Sequence, residues 1–273
     1  MDNDSGLKIL LVEDNPVNQK VTLYQLKNLG YTADVRSNGQ EALQQISRAD
    51  YDIVLTNCEM PGMDGYALTA AIRRLELDAA TGNRTFPIVV LAMTADHTPQ
   101  EQSRCLAAGM NDILNKPVRK NELALKLEQW SQKILAAKNH STAQAPQLGA
   151  SSLEVLADQD RVNPPIDWEH LHQMSDSSYE FELELLTIFV EDTQVHLKAV
   201  KTAIAESNFW EIEQAAHHIK GASANVGAKT MQVAAAQIEQ QARQQKLEGS
   251  TQLLAEIEQA LTQIGKFIQE NPY

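Results

Sequence analysis

Up to about residue 137 the chain alternates short apolar runs with helical periodicity, and beyond that point strand patterning stops. One layered architecture cannot serve both halves. The apolar runs fall at 7–12, 32–36, 52–57, 88–93 and, weakly, 113–114. Helical patterns lie near 16–29, 39–48, 64–77, 99–108 and 121–137. Strands alternating with helices in this way predict an α/β doubly wound, five-stranded parallel sheet covered on both faces. Asn15-Pro16 offers an N-cap followed by a proline at the first helical position. Thr98 with Glu101, and Asn38 with Glu41, have capping-box spacing.

Residues 139–165 are rich in Ala, Gln, Ser, Asn and Pro and end in Asn163-Pro164-Pro165. They read as a linker with a short helical piece around 153–157. As a flexible coil, about 27 residues would span about 25–30 Å. From Ile166 onward only helical patterns occur, near 167–175, 179–206, 209–224, 229–247 and 251–269. Ser177 with Glu180, and Asn208 with Glu211, have capping-box spacing; Gly221 and Gly227 bracket one helix end, and Gly249 marks another. Short connections between long helices predict an all-α antiparallel bundle. The expected division is 1–137, a linker at 138–165, and 166–273.

A length of 273 residues suits two domains, and 43% apolar residues suffice for two cores. Only 5% are aromatic, so those cores should be aliphatic. A formal net charge of -13 argues against nucleic acid or an anionic membrane as a direct partner. Cys58 and Cys105 lack metal-type or redox-motif spacing, which fits a reducing compartment. The polar N-terminus carries no signal-peptide pattern, and no apolar run approaches the roughly 18 residues of a membrane span. A cytoplasmic protein is expected, without direct membrane insertion.

Ligands of open α/β sheets bind outside the carboxyl ends of the strands. Here those ends carry Glu13-Asp14, Asn57, Thr94 and Lys116-Pro117. Each type suits phosphoryl transfer, which is mostly positioning and charge neutralisation. Glu13 and Asp14 offer hard oxygens for Mg²⁺. Lys116 offers a point charge for a phosphoryl group, and Thr94 a hydroxyl donor. Any one of these residues alone is usually a cap or a solvated side chain. Their convergence on one sheet edge is what points to a site.

The run from Asp52 to Gly65, together with Val12-Glu13-Asp14-Asn15-Pro16-Val17-Asn18-Gln19 and Cys105-Leu106-Ala107-Ala108-Gly109-Met110-Asn111-Asp112, resembles the receiver domain of two-component response regulators, of the type attached to hybrid sensor kinases. The resemblance covers roughly 6–137. It implies a flavodoxin-like fold, a Mg²⁺ site from Glu13, Asp14, residue 57 and the backbone carbonyl of Glu59, a switch hydroxyl at Thr94, phosphoryl contact by Lys116, and a cis Lys116–Pro117 bond. It also implies an acceptor aspartate where this chain has Asn57, whose amide cannot form an acyl phosphate. Ile113 stands where the family usually has an aromatic readout residue.

In the later half, Ile212, Ala216, Ile219 and Ser223 share one face of a helix, with Ala215 and Ala222 at its border. His217 then falls at the solvent pole and His218 nearer the flank. An exposed histidine is ordinarily just solvated. The pattern His217-x-x-Lys220-Gly221, with Ser223, Asn225 and Gly227-Ala228 following, resembles a histidine phosphotransfer (HPt) domain over about 166–270. That resemblance implies His217 as the phosphorylated residue, with Lys220 and Gly221 supporting it. No ATP-binding motif accompanies it, so no kinase catalytic domain is expected. The two resemblances together imply a phosphorelay protein, or the C-terminal part of a hybrid histidine kinase. Its partners would be an upstream histidine kinase and other receiver domains. The alternative is a pseudo-receiver that docks partners without phosphorylation beside an active HPt domain.

Overall fold

The structure, a computed structural model, describes residues 6–78, 86–96, 98–138 and 165–271. The expected linker and its helical piece at 153–157 lie almost wholly outside them. Strands β1 (Ile9–Val12), β2 (Ala33–Arg36), β3 (Ile53–Asn57), β4 (Val89–Thr94) and β5 (Asp112–Asn115) alternate with helices α1 (Pro16–Asn28), α2 (Gly39–Ile46), α3 (Gly65–Asp78), α4 (Pro99–Ala107) and α5 (Lys120–Lys138). All strand pairs are parallel, in the order β2-β1-β3-β4-β5. The chain reverses its direction of winding between β1 and β3, which opens a crevice at their carboxyl ends.

The central strands are apolar throughout because both faces are covered. Leu10, Val12, Val54 and Val90 point to one layer with Leu68 and Ile72. Ile9, Leu11, Leu55 and Leu91 point to the other with Leu26, Leu123 and Leu127. Two of the expected caps form as read: Asn38 Oδ1 accepts from Glu41 N at 2.8 Å, and Thr98 Oγ1 from Glu101 N at 3.2 Å. Glu101 does not reach back to its cap. It turns inward to accept from Tyr66 OH, with Cys105 Sγ at 3.8 Å. Cys58 and Cys105, distant in sequence, meet at 3.9 Å between their sulfurs. Burial pushes both thiols up, so they stay protonated and unreactive.

Helices α6 (Trp168–Ser175), α7 (Tyr179–Ala205), α8 (Phe209–Asn225), α9 (Lys229–Arg243) and α10 (Ser250–Glu270) form the second unit. Its four long helices close a ring, α7 touching α8, α8 touching α9, α9 touching α10 and α10 touching α7. Leu185, Phe189, Ile212, Ile219, Ile238, Ile257 and Ile264 fill its centre. One cap and one boundary differ from the sequence reading. Helix α7 starts at Tyr179 as read, but its cap residue is Ser178 and not Ser177, which takes a left-handed φ of 59°, and the cap has no side-chain hydrogen bond. Helix α9 stops at Arg243 instead of 247, because Gln245 takes a φ of 54° that no right-handed helix continues. Asn208 caps α8 as expected, accepting from Glu211 N at 3.2 Å.

Helix α1 of the first unit packs on α6, α7 and α8. Val17 and Val21 are buried in the bundle's core cluster, not in either layer of the sheet. The Tyr24 ring stacks on Phe181 with centroids 3.7 Å apart, and Tyr24 OH donates to the Ser175 carbonyl at 2.8 Å. Lys20 pairs with Glu184 at 2.5 Å, and Lys120 and Asn28 both reach Asp176 Oδ2, at 2.6 and 2.8 Å. The two units thus meet within one chain.

Candidate functional site

The parallel register brings four strand ends to one edge: Val12 pairs with Thr56, Asn57 with Met93, and Thr94 with Asn115. The residues just past those ends therefore converge. Glu13 is buried, accepts from Asn18 Nδ2 at 3.0 Å, and lies 2.6 Å from Lys116 Nζ. Burial raises its pKa, and the Lys116 charge pulls the other way. Lys116 precedes a cis bond to Pro117. Thr94 is buried and its Oγ1 accepts from Asp96 N at 3.1 Å. Ile113, half-buried, packs against the α2/α3-side core.

Asn57 Nδ2 donates to Glu59 O at 2.6 Å, to Asp14 Oδ1 at 2.9 Å and toward Glu13 Oε1 at 3.4 Å. All three neighbours only accept, so the amide must turn its NH₂ to them. A neutral donor thus sits among the oxygens that sequence reasoning assigned to a cation. Those oxygens, two carboxylates and a carbonyl on one side of a crevice, fit Mg²⁺ chemistry. Gly65, at the start of α3, permits this packing: a Cβ there would come within 2.3 Å of the Asn57 carbonyl oxygen.

The facing wall comes from α8 and α9. A cavity of about 540 Å³ is lined by Glu13, Asp14, Asn57 and Lys116 on one side and by His217 and Lys220 on the other. The apolar face expected for α8 is the buried one, Ile212, Ala216, Ile219 and Ser223 included. His217 does leave the bundle on the opposite face, but not into open solvent. Its Nε2 lies 3.4 Å from Glu59 Oε2 of the receiver side, and 28% of its side chain stays exposed. The docking of α1 against α8, invisible to helical periodicity, makes that difference. A Cβ added to Gly221 would stand 3.8 Å from Asn18 Nδ2, in ordinary contact, so anything larger would enter the seam.

Three residues of the site were not found by sequence reasoning. Glu239 Oε1 lies 2.9 Å from His217 Nδ1, while its Oε2 accepts from Lys220 at 2.6 Å. Arg243 Nη2 donates to Glu239 Oε1 at 2.8 Å. Burial alone would raise the Glu239 pKa; hydrogen bonds from His217 and Lys220 outweigh it and hold the carboxyl at about 2. Glu239 can only accept, so His217 donates from Nδ1. Nε2, the nitrogen turned to the receiver, faces the Glu59 carboxylate at 3.4 Å and carries the lone pair whenever the ring is neutral. The signal was available: Glu239 lies on the same buried stripe of α9 as Met231, Ala235 and Ala242, and a carboxylate there requires partners. Asn18 is the third: it donates to Glu13 and accepts from Asn225 Nδ2 at 2.5 Å, joining the two walls. Asn15 adds a bridge, because its Oδ1 caps α1 while its Nδ2 donates to the His218 carbonyl at 3.2 Å.

Among the described residues no helix is long and apolar enough to cross a membrane. Residues 9–128 match the family model of the response regulator receiver domain, and residues 184–267 that of the Hpt domain. Over 124 residues, 44% of this chain and 6% of the relative, the sequence is 40% identical to hybrid signal transduction histidine kinase B of Dictyostelium discoideum. Over 274 residues, 98% of this chain and 21% of the relative, it is 26% identical to the virulence sensor protein BvgS of Bordetella bronchiseptica. The chain thus spans a small part of the length of these relatives. A solved receiver domain, that of the sensor histidine kinase PA1611 of Pseudomonas aeruginosa, aligns at 38% identity over 46% of this chain and 98% of its own, with a TM-score of 0.41. The chain thus carries a response regulator receiver domain at residues 9–128 followed by an Hpt domain at residues 184–267.

Proposed function

We propose that this chain works in a phosphorelay, with His217 as its phosphoryl carrier and its own receiver docked over that histidine. The observation that carries the reading is the placement of His217: Nδ1 is fixed by Glu239, and Nε2 opens into the cavity that also holds Asn57, Asp14 and Lys116. Transfer onto His217 forms a P–N bond at Nε2 as the donor's acyl P–O bond breaks, and the donor carboxylate is regenerated. Lys220 supplies positive charge beside the incoming group. Glu13, Asp14, the Asn57 carbonyl after an amide flip, and the Glu59 carbonyl would hold Mg²⁺, and Lys116 and Thr94 would face its phosphoryl ligand. Bound Mg²⁺ would supply charge neutralisation for the transferring group. Asn57 has no nucleophilic oxygen, so the chain as it stands takes phosphoryl from another receiver or passes it to one, and not from its own residue 57.

A second reading has one observation behind it. The Asn57 amide already satisfies the acidic pocket without a cation, so the receiver can serve as a docked, phosphorylation-independent module. The domain division at 137 and 166, and a cytoplasmic setting in which Cys58 and Cys105 stay reduced, complete the proposal. Upstream histidine kinases and other receivers are the proposed partners, with no direct role for nucleic acid.

The test is transfer from a phosphorylated receiver domain that carries the acceptor aspartate. The chain is expected to gain an acid-labile, alkali-stable adduct, and His217→Gln to gain none. Adduct persisting on His218 in that variant would overturn the choice of histidine.

A further inference from the structure

Beside the phosphotransfer face, α7 and α8 bring together three further polar groups. Asp192 and His196 are one helical turn apart on α7, and His218 faces them from α8. His218 Nε2 lies 2.9 Å from Asp192 Oδ2, and His196 Nε2 lies 3.6 Å from Asp192 Oδ1. The two imidazoles stack with centroids 3.7 Å apart and planes at 25°. One potential ligand atom from each residue lies within 4.8 Å of the others. None of the three has a part in the proposed transfer chemistry.

We propose that Asp192, His196 and His218 form a binding site for a borderline divalent transition-metal ion, with Zn²⁺ as the representative. Bonds of about 2.0–2.1 Å in tetrahedral geometry put neighbouring donors about 3.3 Å apart, and the two nitrogen–oxygen separations bracket that value. The donor set is two imidazoles and one carboxylate, which suits zinc-like ions and not Mg²⁺, whose preference is for oxygen alone. The three side chains are only 14%, 28% and 10% exposed, which restricts their rotamers yet leaves an edge for the ion and a fourth ligand from solvent. Nearly parallel rings direct their lone pairs side by side, so capture requires the imidazoles to splay about χ2, a broad torsion. An ion here would tie α7 to α8 one residue from His217, on the segment whose His218 carbonyl receives the Asn15 amide.

The test is a Zn²⁺ titration of the full chain in excess Mg²⁺, followed by calorimetry and by NMR of the histidine rings. The first equivalent is expected to shift the His196 and His218 ring signals together. His196→Gln and Asp192→Asn, both checked for an unchanged unfolding transition, should each weaken that uptake at least about tenfold. Should the first equivalent go to the rings of His217 or His172, or bind the His196→Gln chain as tightly as the parent, the site does not exist.

Discussion

The pocket around Asn57 and the one around His217 face each other across one cavity and differ in what each lacks. The receiver side has its acidic residues, lysine and hydroxyl in place, yet its central side chain is an amide that spends its NH₂ on Asp14 and Glu59. The bundle side holds an imidazole with one nitrogen tethered to a buried carboxylate and the other turned to the receiver, 3.4 Å from Glu59 Oε2. One pocket is filled by its own amide; on the proposed reading the other presents the reacting nitrogen. The comparison teaches that an intact binding geometry and an intact reactive atom are separate properties of such a site.

The strongest way to break this contrast is at Glu239. Glu239→Ala removes the hydrogen bond to His217 Nδ1 and leaves Lys220 and Arg243 facing a void. Breaking a buried ion pair costs about 3–5 kcal/mol, so a clear loss in denaturant midpoint is expected. Phosphoryl uptake at His217 should fall about 100-fold, while Glu239→Gln, which keeps the shape and an acceptor, should recover most of it. Equal uptake by Ala and Gln variants would show that Glu239 only supports the fold. The pH dependence follows from the depressed pKa. The Glu239 contribution is complete above about pH 4.5 and is lost as pH falls toward about 2. Chemical denaturation across that window should show a slope that Glu239→Gln flattens.

The docking seam offers a smaller effect. Tyr24→Ala removes a stack on Phe181, worth about 0.5–1.5 kcal/mol beyond its buried area, and the hydrogen bond to Ser175. The two units should then separate part of the time, read as a larger radius of gyration by small-angle scattering, with each unit's own circular dichroism unchanged. A scattering curve identical to the parent's would mean that the seam does not depend on this contact. Least of all should follow from Lys20→Ala. The Lys20–Glu184 pair is 32% and 46% exposed, so its loss is expected to cost at most about 1 kcal/mol and to vanish in high salt.

Much of this was legible in the sequence. The apolar runs are continuous because both sheet faces are covered, so β1, β3 and β4 declare themselves. The strand-end residues converge because parallel order forces them to one edge. Capping chemistry located α1, α2, α4 and α8. It failed at Ser177, which takes a left-handed backbone in the turn that closes α6, directly after the left-handed C-cap Asp176. The phase of α8 put His217 opposite the buried face, where it lies, but did not give its surroundings, because periodicity describes one helix and is silent on what docks against its far face. Glu239 was missed for the complementary reason: it is a charge inside the buried stripe of α9, and its partners His217 and Lys220 come from another helix. Val17 and Val21 belong to α1 by sequence and to the bundle by burial, and only the assembled fold separates the two.

The central claim is that His217 is presented to position 57 of its own chain, one atom short of transfer. The most direct measurement restores that atom. Asn57→Asp, given acetyl phosphate and Mg²⁺, is expected to form an alkali-labile adduct at residue 57 that passes to His217 as an acid-labile one. The rate should be first order and independent of protein concentration, and Asn57→Asp with His217→Gln should hold the label at residue 57. Label that stays on residue 57 while His217 is intact, or a transfer rate that rises in proportion to protein concentration, would contradict the account.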